Sequence, residues 1–154
     1  MRFKILIGIL LVFLCISFVS AEDIDDLSEE DFKNIDFAVN DTIVEFDGFN
    51  FTIPAGFGPI DKLELNTTEN DITTHCKFFA NEKGEVIMLS TIKGGDASLD
   101  LETYKPDSDT DKETINGHEG WEFDDEKYNY FTYIDGDTVI LLQAPDDDYF
   151  EEMI

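Results

Sequence analysis

The sequence predicts an α+β domain made mostly of a meandering antiparallel sheet built from hairpins, with a short C-terminal helix. Short apolar and aromatic runs are separated by Asp-Gly, Asn-Gly and related turn signals, a pattern typical of β-hairpins. No strand–helix–strand spacing and no internal repeat is visible. These observations place one domain at 40–154, a length that suits a single hydrophobic core.

The first 21 residues have the layout of a secretory signal peptide. Two basic residues precede an apolar run at 5–19, and small residues stand just before Glu22. The apolar run is shorter than the roughly 17–25 residues of a membrane-spanning helix. Cys15 raises the alternative of a lipid anchor, but Leu14 stands where a lipobox requires a small residue. We therefore expect a mature protein that is secreted or lies on the cell surface.

Residues 22–39 are predicted to form an acidic leader. Six of the nine residues at 22–30 are acidic, which is the composition of a segment without a packed core. An N-cap signature at Ser28 is followed by two apolar residues at helical spacing. A short helix near 29–36 is therefore predicted within the leader.

The first hairpin is predicted around the Asp-Gly pair at 47–48. A two-residue type I′ turn requires positive φ at both positions, which Asp and Gly tolerate. Such a turn pairs Phe46 with Phe49 and Val44 with Phe51. These four apolar side chains then share one face of the hairpin.

Two longer hairpins follow. One joins predicted strands 73–80 and 85–92, and the other joins 128–134 and 137–143 through the Asp-Gly pair at 135–136. Both faces of the last hairpin are apolar, which predicts a central position covered on both sides. One face is predicted to carry Tyr128, Tyr130, Thr132, Val139 and Leu141, and the other Phe131, Tyr133, Ile140 and Leu142.

The remaining elements are a loop, a turn and a helix. Residues 93–111 are rich in Gly, Asp and Ser and predict a long surface loop, and Asn116-Gly117 predicts a tight turn. An acidic triplet after Pro145 predicts a helix from Tyr149 to Ile154.

The core is predicted to contain Cys76, Phe78, Val86, Met88, Trp121, Phe123, Phe131, Ile140 and Leu142.

Two short motifs carry a resemblance to known proteins. Residues 49–57 are Phe-Asn-Phe-Thr-Ile-Pro-Ala-Gly-Phe, and residues 115–121 are Ile-Asn-Gly-His-Glu-Gly-Trp. With the elements that follow, most of 43–154 resembles small exported proteins of uncharacterised function from methanogenic archaea. The opening motif is more loosely similar to domains of the fold seen in photosystem-II extrinsic proteins, with helices on an antiparallel sheet. The resemblance implies an exported location and this fold class, and it assigns no catalytic residue.

Negative charge dominates the mature chain. Loss of Arg2 and Lys4 with the signal peptide lowers the basic residues from 10 to eight against 36 acidic ones, so the net charge is −28. This balance argues against nucleic acid, whose phosphates are bound by basic side chains, and against anionic membrane surfaces. Cations, a basic protein or another envelope component are the expected partners. The alternative is a solvated acidic surface without a specific partner.

Cys76 is the single cysteine of the mature chain, so the domain has no intramolecular disulfide. Strand alternation places Cys76 on the same face as Phe78, away from His75 and Lys77. We expect a buried thiol that behaves as a small hydrophobic residue. A reactive or intermolecular thiol is the alternative.

A weak calcium site is a hypothesis for the acidic loop. Asp107, Asp109 and Asp111 copy the first three ligand positions of an EF-hand. Lys112 and His118 occupy the positions of its turn glycine and closing glutamate, so a true EF-hand is excluded. A looser calcium site and a solvated loop remain as interpretations, and no other cofactor is expected.

Three Asn-x-Thr sequons, at Asn40, Asn50 and Asn66, are acceptors for N-glycosylation if the host glycosylates its exports. Asn50 lies opposite the apolar face of its predicted strand. Its side chain is therefore expected to face solvent.

Candidate catalytic residues are few. The chain has two histidines, and His75 points away from its neighbour Cys76, so the two cannot form a nucleophile–base pair. Acidic pairs are too numerous to single out any one. We expect a non-catalytic binding module of unknown ligand. The alternatives are an extracellular hydrolase that uses two carboxylates and a structural or adhesion protein bridged by divalent cations.

Overall fold

The computed structural model describes the domain predicted at 40–154 except for residues 96 and 108. The signal peptide predicted at 1–21 and half of the leader predicted at 22–39 lie outside the described residues. The described residues are Ser28, 32–95, 97–107 and 109–154.

The elements follow one another closely along the chain. They are β1 (Thr42–Phe46), β2 (Phe49–Ile53), β3 (Phe57–Pro59), a first 3₁₀ helix (Asp61–Leu63), β4 (Leu65–Glu69), β5 (Ile72–Asn81), β6 (Val86–Lys93), a second 3₁₀ helix (Leu101–Tyr104), β7 (Lys112–Ile115), β8 (His118–Asp124), β9 (Asn129–Asp135), β10 (Thr138–Ala144) and α1 (Asp148–Met153).

Eight of the strands form one large sheet. Its order is β3-β5-β6-β10-β9-β8-β7, and β4 lies off this path, paired with β5 along the same edge as β3. Strands β1 and β2 form a separate two-stranded hairpin. All pairings are antiparallel. The predicted α+β class with an antiparallel sheet and a C-terminal helix is therefore confirmed.

The predicted helix near 29–36 is not supported. In the described part of that range, only residues 32–33 are helical. Further along, the Ala38 N–H donates to the carbonyl of Phe57 (3.2 Å), and the Gly56 N–H donates to the carbonyl of Ala38 (2.7 Å). Turn-type hydrogen bonds run from the N–H of Phe32 to the carbonyl of Ser28 and from the N–H of Ile35 to the carbonyl of Phe32, and beyond this range β3 and its preceding turn satisfy the backbone of Ala38.

The first hairpin has the predicted turn and register. Asp47 and Gly48 have φ values of 52° and 90°, as a type I′ turn requires. Phe46 pairs with Phe49, and Val44 pairs with Phe51. The local sequence was sufficient because both the turn and the apolar alternation favour the same register.

The last hairpin has a different turn from the predicted one. Asp135 pairs with Thr138, so the turn residues are Gly136 and Asp137. Gly136 has a φ of 60°, which suits the first position of a type II′ turn. Because the cross-strand pairing shifts by two residues, each side chain keeps its predicted face. Strand β10 also pairs with β6, so the predicted central position is confirmed.

The β1–β2 hairpin and α1 cover one face of the large sheet, which we call the hairpin face. Phe46, Phe51 and Ile53 from the hairpin and Phe150 and Met153 from the helix are at most 4% exposed. The strand residues beneath them are Phe79, Ile87, Leu89, Ile115, Phe131, Tyr133, Ile140, Leu142 and Ala144.

Irregular chain covers the opposite face, which we call the loop face. Tyr104 of the second 3₁₀ helix is buried on this face. Phe32, Ile35 and Leu101 are partly buried and pack against the same apolar cluster. The Trp121 Nε1–H donates to the carbonyl of Leu101 (2.7 Å). The strand residues of this face are Cys76, Phe78, Ala80, Val86, Met88, Ile92, Trp121, Tyr128, Tyr130, Val139 and Leu141.

The structure differs from the predicted elements in three extra strands and in the burial of one residue. Strands β3, β4 and β7 are additional to the predicted set. All three are short and carry little apolar alternation, so pairing with their neighbours specifies them. Phe123 is only half-buried and stacks on Tyr130 with ring centroids 5.1 Å apart. The other predicted core residues are buried.

Candidate functional site

The acidic loop residues do not gather into a cluster. Asp107, Asp109 and Asp111 are exposed. The Asp109 N–H (2.8 Å) and the Thr110 hydroxyl (3.0 Å) donate hydrogen bonds to Asp107 Oδ1. These hydrogen bonds lower the pKa of Asp107. In the described part of the chain, three acidic side chains with oxygens within 4.8 Å of one another occur only at 146–148. The calcium hypothesis for this loop stays a prediction.

The three sequons lie on the surface. The side chains of Asn40, Asn50 and Asn66 are exposed. Asn50 faces solvent as predicted, opposite the buried side chain of Phe51. Each sequon is therefore accessible, and its glycosylation stays a prediction.

Cys76 and His75 lie on opposite faces of β5. Cys76 is 1% exposed, and its thiol contacts the Ser90 hydroxyl at 3.3 Å on the loop face. His75 lies on the hairpin face, where its ring packs on Phe46 with centroids 4.5 Å apart. The prediction of a buried cysteine that forms no dyad with His75 is confirmed.

His75 joins the β1–β2 turn to the sheet edge through a polar network, which we call the His75 cluster. His75 Nδ1 lies 3.0 Å from Asp47 Oδ1, and Nε2 lies 2.9 Å from Glu64 Oε1. The Thr91 hydroxyl donates to the second oxygen of Asp47. Only the doubly protonated imidazolium donates from both ring nitrogens, so the geometry specifies a charged histidine.

The pKa shifts of the His75 cluster agree with this assignment. Burial alone would lower the pKa of His75, but hydrogen bonds to Glu64 and Asp47 outweigh burial and raise it. Burial would raise the pKa of Asp47, whereas hydrogen bonds from Thr91 and His75 and the charge of Lys93 lower it. Both ring nitrogens are therefore committed to ion pairs: the pair with Asp47 docks the hairpin, and the pair with Glu64 holds the segment before β4, so the cluster is structural.

Carboxylates from three parts of the chain converge at one end of the hairpin face. Glu122 on β8 is half-buried, and its pKa is raised by burial and by the charges of Asp147, Glu113 and Asp124. These groups come from β7, β8 and the turn before α1. Burial is the largest cause of this pKa shift, and the neighbouring carboxylates add to it because a like charge nearby disfavours ionisation. These charges make the surroundings of Glu122 a region of negative potential.

The turn before α1 extends this region. Asp146, Asp147 and Asp148 are exposed and bring their carboxylates within 4.8 Å of one another. The side-chain amide of Asn129 donates to the carbonyl of Pro145 (3.3 Å) and holds this turn against the start of β9. We call the combined region the acidic corner; its members are Glu113, Glu122, Asp124, Asp146, Asp147 and Asp148.

Two grooves share residues 37–39 and Phe57 as a common wall. One has a volume of about 570 Å³ and a mixed lining that includes Glu82, Lys83 and Tyr149. The other has a volume of about 510 Å³ and a mainly apolar lining that includes Lys77. Both volumes fall in the range of small-molecule sites, roughly 300–1,000 Å³.

The sequence did not identify the His75 cluster, the acidic corner or the grooves. Side-chain alternation placed His75 and Lys77 on the same face of β5, and this was the sequence signal available for the His75 cluster and for the groove that contains Lys77. Their partners are far along the chain: Asp47 is 28 residues from His75, and Asp147 is 25 residues from Glu122. Only the packing of the hairpin and α1 on the sheet brings these groups together.

Comparisons with known proteins give no match: no family model, no curated protein and no solved structure is significantly similar to the chain. The resemblance to exported proteins of methanogenic archaea therefore stays a prediction. Within the described ranges, no helix combines the length and the apolar character needed to cross a bilayer.

Proposed function

We propose that this chain is an extracytoplasmic, non-catalytic binding module whose acidic corner binds a basic partner. The partner is a protein or polymer that presents clustered lysine or arginine side chains, such as a component of the cell envelope. The observation that carries the proposal is the position of Glu113, Glu122 and Asp124 on one face of the paired strands β7 and β8, where burial and the charges of Asp147, Glu113 and Asp124 raise the pKa of Glu122. A cationic partner would relieve this repulsion on binding.

Ion pairing within the protein leaves the acidic corner available. Between described residues, ion pairs within 4.0 Å join His75 to Asp47 and Glu64, and Lys112 to Glu102 and Glu119. None of these carboxylates belongs to the acidic corner. The corner therefore has no neutralising cation among the described residues, which favours an external one.

The overall charge supports the same partner class. The 36 acidic residues far outnumber the 10 basic ones. Such a field attracts cationic surfaces over a distance and raises association rates, in a manner that salt weakens. We therefore expect binding that is fast and sensitive to ionic strength.

The location outside the cytoplasm rests on the predicted signal peptide. Export should remove residues 1–21, so the mature protein should begin at Glu22. Intact-mass analysis of the exported protein tests this expectation. A membrane-bound product that retains Met1 would contradict it.

Binding of a decalysine peptide at fixed ionic strength tests the acidic corner. Substitution of Asp146, Asp147 and Asp148 with Asn removes three charges and keeps residues suited to a helix N-terminus. The matched control replaces Asp107, Asp109 and Asp111 with Asn. The corner variant should lose at least threefold more affinity than the control in isothermal titration calorimetry.

Each outcome of this comparison is informative. Equal losses would show that only net charge matters and would overturn the acidic corner as the site. Wild-type protein that does not bind decalysine at low salt would overturn the proposed function. Binding that requires added Ca²⁺ would instead favour the cation-bridged adhesion protein.

A hydrolase that uses Glu122 as its acid is the second candidate function. Glycoside hydrolases need one carboxyl group with a raised pKa beside a second carboxylate, and the charge of Asp147 contributes to the raised pKa of Glu122. Envelope glycan should then be cleaved by the wild type and not by the Glu122→Gln variant. Absence of cleavage by the wild type would remove this candidate.

A further inference from the structure

The apolar groove that contains Lys77, which we call the Lys77 groove, has the form of a small-molecule site. Its deepest lining residues, Ile53, Phe57 and Phe79, are at most 3% exposed. Half-buried Val44 contributes from β1. Val39 lines the same groove and is 90% exposed, so apolar surface continues from the interior to solvent at this point.

Lys77 is the single basic residue of this lining. It lies on β5 opposite the interruption of the edge strand, where β3 ends and the first 3₁₀ helix begins. Among the described residues, Lys77 makes no ion pair within 4.0 Å, not even with Asp36, the exposed acidic residue at the same groove. Lys112, by contrast, contacts two carboxylates.

The lack of an ion pair does not by itself distinguish Lys77, because among the described residues Lys83 and Lys93 also make none within 4.0 Å. Its surroundings do: most of the residues that line its groove are apolar, and the polar exceptions are Asp36 and Thr42. A polar group placed in an apolar site fixes the orientation of a ligand whose remaining surface is apolar. The groove therefore combines apolar surface with one donor for an anionic group.

We propose that the Lys77 groove binds an alkyl carboxylate, with the hydrocarbon chain against Phe37, Val39 and Val44, which line the groove and keep exposed surface. The carboxylate accepts a hydrogen bond from Lys77 Nζ. This site is separate from the acidic corner and takes a ligand of opposite charge, so it adds a second binding activity to the module.

Other ligand classes fit the groove less well. A cationic ligand would place its charge against Lys77. A peptide would bring backbone groups that need partners, but the N–H and C=O of Ala38 in the wall are already bonded to Phe57 and Gly56. A sugar would leave its hydroxyl groups against apolar side chains without hydrogen bonds.

The negative charge of the protein does not prevent an anion from binding here. Exposed carboxylates more than about 8–10 Å away are largely screened at physiological ionic strength. The contact with Lys77 is short and partly shielded from water, so it is screened much less. Raising the salt concentration from a low value should therefore strengthen binding of the carboxylate, the opposite of its effect on a basic partner.

Calorimetric titration with dodecanoate and dodecanol, each below the concentration at which it self-associates, tests the proposal. The full mature chain should bind dodecanoate at one site and at least about tenfold more tightly than dodecanol, as a hydrogen bond to a charged group implies. Lys77→Met should remove this preference, and Lys77→Arg should retain it.

Lys83→Met provides the matched control. Lys83 lines the neighbouring groove, so the substitution changes net charge equally and should leave dodecanoate binding unchanged. Near-ultraviolet circular dichroism establishes that each variant is folded. Equal affinity of the wild type for both probes, loss of binding in Lys83→Met, or retention of the preference in Lys77→Met would overturn the proposal. So would the absence of saturable binding.

Discussion

The two faces of the large sheet are covered in different ways. On the hairpin face, regular elements pack apolar side chains on the strands, and Phe46, Phe51 and Phe150 are almost completely buried. On the loop face, irregular chain packs on the strands and is anchored by side-chain hydrogen bonds. Trp121 bonds to the carbonyl of Leu101, and Tyr104 bonds to that of Ser98, both at 2.7 Å.

This difference separates two kinds of stability. The close packing of large side chains on the hairpin face is lost only when the β1–β2 hairpin and α1 separate from the sheet. The hairpin face should therefore unfold together with the whole domain. A loop held by a few hydrogen bonds can open locally at lower cost. The hairpin face should therefore carry most of the global stability, and the loop face should determine local opening.

The largest effect is expected from Phe51→Ala on the hairpin face. Phe51 is 1% exposed, and truncation of a buried Phe costs about 3–5 kcal/mol through lost transfer free energy and a cavity. Urea denaturation followed by Trp121 fluorescence measures the loss. Asn50→Ala, at the exposed neighbouring position, is the control and should change little. A loss below about 1 kcal/mol for Phe51→Ala would show that the hairpin contributes little to global stability.

A smaller effect is expected from His75→Gln, which removes the ion pair that docks the hairpin through Asp47 and the ion pair with Glu64. Hydrogen bonds to charged groups contribute about 1.5–3 kcal/mol. The raised pKa of His75 means that this contribution is complete below about pH 6.5 and is lost as the pH rises through the raised value. The lowered pKa of Asp47 means that its contribution is present above about pH 3.9 and is lost as the pH falls through the lowered value.

The free energy of unfolding as a function of pH measures this effect. The difference between the wild type and His75→Gln should be largest between about pH 4 and pH 6.5 and should shrink on both sides. His118→Gln is the matched control, because His118 packs on the ring of Tyr133 and belongs to no ion pair among the described residues. A difference that does not vary with pH would contradict a charged His75.

The smallest effect is expected from Tyr104→Phe on the loop face. This change removes the hydrogen bond from the Tyr104 hydroxyl to Ser98, at a cost of about 1 kcal/mol. Hydrogen exchange should increase mainly at 97–105, with little change in β6 and β10. Tyr149→Phe, on the hairpin face, is the control. Uniformly faster exchange across the sheet would show that the two faces open together.

Local pattern predicted the long hairpins of this fold and its C-terminal helix, although not strands β3, β4 and β7. The turn residues at 47–48 and 116–117 have positive φ, so their identity fixes the sharp reversals. Alternation assigned the faces of β9 and β10 correctly even though the turn lies one residue later, because a shift of two residues preserves the face. These predictions depend only on neighbours in sequence, and for that reason they agree with the structure.

The candidate sites could be predicted only in part. Exposure of Asn40, Asn50 and Asn66 agrees with their polar surroundings. Gathering of Asp107, Asp109 and Asp111 around one cation would require a sharp backbone turn that the sequence lacks. The side chains that do converge, such as Glu122 and Asp147, come from segments whose relative positions depend on the packing of α1.

The sequence alone determined the antiparallel class, the hairpins, the buried state of Cys76 and the negative charge, because composition and alternation act locally. Tertiary structure decided which acidic groups face one another, which face of the sheet is covered by irregular chain and where Lys77 lies without a counterion among the described residues. Those features arise when distant segments dock on the sheet, and no local pattern encodes docking distances. The acidic corner, the His75 cluster and the Lys77 groove are therefore properties of the packed domain.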